Sequence, residues 1–91
     1  MATLTLGANG PTPNPVTASN PGRSLEIVND LGAEVTLTLT PAGFLNPSPG
    51  ATLTVPTSGW SGTVGASGGD YSYTDPSSNQ RATRSGRIDV S

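Results

Sequence analysis

In its 91 residues the chain carries 12 glycines, 9 prolines and 24 serines or threonines, with 32% apolar and 11% charged residues and a net charge of −2. Lacking any long apolar run, this composition excludes a helical bundle, a coiled coil and a membrane span, and the length allows one domain, residues 1–91, with a modest core. Cys, His and Lys are absent, which excludes Ser-His-Asp triads, thiolate nucleophiles, His- or Cys-ligated metals and Schiff-base lysines, and four Arg against six acidic residues argue against a nucleic-acid partner.

Alternation of apolar and polar residues starts at Leu4-Thr5-Leu6 and predicts a strand over 2–6. Gly7 to Pro15 holds three Pro, two Gly and two Asn and reads as turns, leading to a strand over 15–18. Asn20-Pro21-Gly22 is a turn before Leu25-Glu26-Ile27, in a strand over 24–29. The strongest run, Val35-Thr36-Leu37-Thr38-Leu39-Thr40, gives a strand over 34–40 with threonine on its wet face. Phe44-Leu45 follows inside a Pro/Gly-rich loop, where it either tucks under the sheets or forms an exposed apolar contact patch. Strands over 51–55, 60–66, 70–74 and 86–90 complete the chain. The expected core is Leu4, Leu6, Val16, Leu25, Ile27, Val35, Leu37, Leu39, Leu53, Val55, Val64, Tyr71, Tyr73, Ile88 and Val90.

Short strands with turn signals this frequent predict an all-β, Greek-key β-sandwich of about seven to eight half-buried antiparallel strands. The start, MATLTLGANG, has neither the charged opening nor the apolar stretch of a signal peptide. The compartment stays open between the cytoplasm and a secreted domain whose leader has been removed.

Few residue groups carry chemistry. Asp70 and Asp75, with Asp30 or Glu34, are a weak calcium set without the dense Asp-x-Asp-x-Asp-Gly loop of a calcium site. A glycosidase carboxylate pair would need a cleft that a domain of this size hardly offers. Trp60, between small residues, either caps one end of the core or stacks on a sugar together with Tyr71 or Tyr73. Arg81, Arg84 and Arg87 recur every third residue on a loop entering a strand, as scattered surface charge or as an edge for docking a partner.

Gly69-Asp70-Tyr71-Ser72-Tyr73-Thr74-Asp75, a short loop, and Arg84-Ser85-Gly86-Arg87-Ile88-Asp89-Val90 together resemble the end of a cupredoxin. In that family a Gly-x-Tyr-x-Tyr/Phe strand runs into a loop holding Cys, His and Met, and a Gly-x-Ile/Val-x-Val strand closes the sheet. Ser24 to Asp30, preceded by Pro21-Gly22, resembles the family strand that ends in two Asn/Asp residues just before the first ligand His. The likeness covers about residues 14–91. It implies a cupredoxin-like sandwich, with Glu34 near the first His position, Asp75 where the Cys stands, Ser78 at the second His and Arg84 at the Met.

All four donors of a blue-copper site are thus replaced, so the family's electron transfer carries over to no residue here. The expectation is a metal-free chain without a cofactor, not an enzyme. It would be a binding or structural module making protein–protein contacts, with another protein or with itself. Its binding end would bear Glu34, Asp75, Ser78 and Arg84, either with Asp75–Arg84 or Glu34–Arg84 paired or with the loop solvated. The alternative is a small carbohydrate-binding module using Trp60 with Tyr71 or Tyr73. Trp60, Phe44 and Tyr71 are the candidate contacts for a glycan or a partner, and neither nucleic acid nor membrane insertion is expected.

Overall fold

A strand that alternates Thr with Leu has one face for water and one for a core, so it is stable only against a second such layer. The computed structural model describes residues 2–7, 10–12, 14–19, 22–40, 42–46, 50–65, 68–74 and 83–90. It holds ten strands: β1 (Ala2–Gly7), β2 (Gly10–Thr12), β3 (Val16–Ala18), β4 (Ser24–Asn29), β5 (Val35–Thr40), β6 (Leu45–Asn46), β7 (Thr52–Val55), β8 (Trp60–Val64), β9 (Gly69–Thr74) and β10 (Thr83–Val90). They form two five-stranded sheets, one ordered β2-β1-β4-β8-β6 and the other β3-β10-β9-β5-β7. No helix occurs among the described residues.

The sheets are mixed, not purely antiparallel as expected: β1 runs parallel to β4, and β3 parallel to β10. The cause is the segment between β1 and β4. Its first half, β2, turns back along β1, and its second half, β3, joins the other sheet. After that excursion β4 returns to lie beside β1 in the same direction, as a crossover connection allows and a hairpin does not. The change of sheet falls at Asn14-Pro15, a cis peptide. The side chain of Asn14 meets the incoming strand there, its Oδ1 accepting from Arg87 N at 3.2 Å.

Two strands escape the alternation pattern. β2 is Gly-Pro-Thr, and β6 is a two-residue strand in a loop rich in Pro and Gly. β10 also starts three residues before the expected 86, because its early inward positions are Arg84 and Gly86, which carry no apolar signal.

Leu4 and Leu6, Leu25 and Ile27, and Val35, Leu37 and Leu39 all point into one buried cluster. Each such Leu or Ile stabilises the fold by about 2 kcal/mol on burial. Of the expected core, Val90 alone is only partly buried, and Ala18, Leu31, Phe44 and Leu45 join the cluster. Phe44-Leu45 therefore tucks in and forms no exposed patch. Leu45 pairs with Val64 on β8, and the Phe44 ring lies so close to Gly69 that a Cβ there would stand 2.8 Å from Cδ1.

Candidate functional site

The parallel pair β1/β4 and the hairpin β9/β10 bring several loops to one end of the sandwich. Leu6 is in register with Asn29, and Asp30 N donates to Leu6 O at 3.0 Å. Tyr73, buried near the end of β9, reaches across to the other sheet, its hydroxyl donating to Gly7 O at 3.3 Å. Arg84 lies opposite Tyr73 in the β9/β10 ladder, half-buried on an inward-facing position. Glu34 immediately precedes β5, whose Val35 pairs with Val55. Glu34 and Arg84 thus stand at the same end of the second sheet. Asp75 and Ser78, and Arg81 of the arginine series, lie outside the described residues.

Asn29 organises this end. It is the one buried polar residue among the described residues, 8% exposed. Its Nδ2 donates to Ala33 O at 2.8 Å and to Val55 O at 3.1 Å, while its Oδ1 accepts from Leu31 N at 2.9 Å. One side-chain amide thereby satisfies three backbone groups and ties β4 in one sheet to β7 in the other. Burial of Leu31 fixes the turn from below. Asp30 and Glu34 flank it with exposed carboxylates, so the turn is an anchored acidic platform. By pattern alone Asn29 is only the last residue of an alternating strand. An Asn at a strand end followed by Asp and, two residues later, Gly is the available signal, because Asx side chains bond backbone groups two residues on.

The proposed charge pairs are only partly in view. Glu34 forms no ion pair among the described residues. Arg87 and Asp89, two apart on the wet face of β10, make an exposed bridge, Nε to Oδ1 at 2.7 Å. At such exposure the bridge contributes about 1 kcal/mol or less.

The calcium grouping does not assemble. Asp70 sits near the start of β9, paired with Arg87 and Thr40, a sheet length away from Asp30 and Glu34. Among the described residues no three His, Cys, Asp or Glu side chains come together as a metal site.

The aromatic contacts do not assemble into a surface either. Tyr71 and Tyr73 are each 2% exposed and Phe44 5%, so none of the three offers a ring face to a sugar or a partner. Trp60 is half-buried against the core and folds back over Gly62, its Cζ2 2.7 Å from where a Cβ on that glycine would stand. Beside it is a depression of about 150 Å³, lined by Glu26 to Asn29 and Thr57 to Ser61. That is smaller than sites that enclose small ligands, roughly 300 Å³ and upward. Trp60 packs partly against the core at this edge and leaves part of its ring beside the depression.

Comparison with protein-family models, with curated proteins and with solved structures finds no match.

Proposed function

We propose that the chain is a non-catalytic, metal-free, cupredoxin-like Greek-key module that works by protein–protein contact through the end bearing Glu34 and Arg84, together with Asp75 and Ser78, which stand between β9 and β10 in the sequence. The observation that carries the reading is the Asn29 clamp. Three hydrogen bonds from a buried amide hold a turn whose outward side chains are carboxylates. A loop fixed in advance loses little entropy when a partner docks, so a small polar surface can bind with useful affinity. The partner chemistry that suits exposed Asp30 and Glu34 is a basic surface.

Support for the cupredoxin-like part comes from the strands that carry the resemblance. The Gly-x-Tyr-x-Tyr strand β9 and the Gly-x-Ile-x-Val strand β10 are antiparallel neighbours, and β4 ends where β9 ends. The glycan alternative loses its ground, because its two tyrosines are inside the core.

The test is a comparison of binding partners retained by the intact chain and by two pairs of variants. Glu34→Ala and Arg84→Ala alter the proposed end. Thr17→Ala and Thr40→Ala alter the opposite end. The reading predicts at least about tenfold weaker retention for the first pair only. Equal retention by all four, or loss confined to the second pair, contradicts it.

A further inference from the structure

The four lateral edges of the two sheets are not alike. β2 contains Pro11, β3 is three residues long and follows Pro15, and β6 is two residues long and is followed by Pro47. Short length and proline are the devices that keep a sheet edge from pairing. β7, at the edge of the second sheet, is the longest of the four: Thr52-Leu53-Thr54-Val55 is regular and without internal proline, and Pro56 ends it.

Its outward backbone groups can be identified. Leu39 N donates to Ala51 O at 2.7 Å, continuing the β5/β7 ladder. Antiparallel ladders alternate bonded and non-bonded pairs, so residues 51, 53 and 55 turn their backbone groups toward β5. Thr52 and Thr54 turn theirs to the open side, and both are exposed. The donor and acceptor of each therefore face outward from β7.

The register of β5 on β7 indicates what they accept. Thr36 faces Thr54, Leu37 faces Leu53 and Thr38 faces Thr52. A second β7 laid antiparallel about Leu53 offers the same series: Thr52 opposite Thr54, Leu53 opposite Leu53, Thr54 opposite Thr52. We propose that β7 pairs with β7 of a second copy about a twofold axis at Leu53, joining two five-stranded sheets into one of ten. Such a contact is isologous, as closed dimers require. Thr–Thr cross-strand pairs add a few tenths of a kcal/mol each, and the small area makes the dimer weak and rapidly exchanging. This pairing is independent of the loop-end reading and can fail without affecting it.

The experiment is an amide NMR spectrum of the full chain taken from about 10 μM to about 1 mM, the range in which weak association shows. The proposal predicts shifts that grow with concentration at Thr52, Leu53 and Thr54, and sedimentation toward a dimer. Thr52→Lys with Thr54→Lys, and separately Thr52→Glu with Thr54→Glu, should each remain monomeric, because like charges then face one another. Mixing the lysine-bearing and glutamate-bearing variants should restore association, at least about tenfold tighter than either variant alone. A thermal melt of each variant confirms that it folds before mixing. Overturning results are concentration-independent amides at β7, shifts confined to another edge, variants that dimerise like wild type, or no rescue on mixing folded variants.

Discussion

Tyr71 and Gly86 face each other across β9 and β10, and the phenol hydroxyl fills the space that a Cβ on residue 86 would need. The ideal Cβ position also lies 2.6 Å from Tyr71 Cζ and 3.1 Å from Asn14 Oδ1. The Gly in the Gly-x-Ile-x-Val strand is therefore the hole into which a buried Tyr fits. Gly86→Ala should destabilise the fold by about 1–3 kcal/mol, the usual cost of overpacking, in urea or thermal unfolding. In a Tyr71→Phe background the Gly86→Ala penalty should shrink, and purely additive losses would contradict the fit.

The Tyr71 hydroxyl is buried without a hydrogen-bond partner among the described residues. Burial first, and the neighbouring Tyr73 second, push its pKa well above the ordinary value of 10.0. The folded chain thus holds the phenol neutral while the unfolded chain ionises it near pH 10. Stability from this group is complete below that pH and falls as pH rises through the folded pKa, by at most about 1.4 kcal/mol per pH unit. Tyr71→Phe should be neutral or slightly stabilising at pH 7 and should flatten the alkaline decline. An unchanged slope between about pH 10 and 12 would contradict the assignment.

Asn29→Ala strands Leu31 N, Ala33 O and Val55 O at once. A loss of about 2–4 kcal/mol is expected, with faster amide exchange at Leu31 than elsewhere in β4. Asn29→Asp keeps the acceptor for Leu31 but turns a carboxylate on two carbonyls. Its folded pKa should rise, so its stability should fall as pH rises and partly return in acid. A pH-independent Asn29→Asp variant would contradict an amide that donates to Ala33 and Val55.

Trp60, half-buried over Gly62, should emit to the blue of a free indole, and its emission should not respond to neutral oligosaccharides. A sugar-dependent shift would restore the stacking role. Added Cu²⁺ should give no intense visible band, because no thiolate exists to donate charge to the metal.

The sequence pattern reveals most of the framework and little of the site, for physical reasons. Val35 to Thr40 carries its burial in its alternation, so its strand and inward face are readable directly. The β9/β10 pair is readable from its tyrosines and from Ile88. Leu45 and Phe44 are not placeable, because their burial depends on a β6/β8 pairing with no local pattern. The same holds for parallel pairing, which follows from the path through β2 and β3. At the loop end, Glu34 and Arg84 come from the resemblance alone. Asn29 is hidden because its role lies in long-range bonds to Val55 and in local bonds around the turn.

The loop-end account is tested most directly by site-specific photo-cross-linking in the intact chain, with the photoreactive group placed at position 34 or at position 17. The account predicts discrete protein adducts from position 34 that are lost when Asn29→Ala loosens the turn, and none of the same adducts from position 17. Adducts of equal yield from both positions, or from position 17 alone, would contradict it.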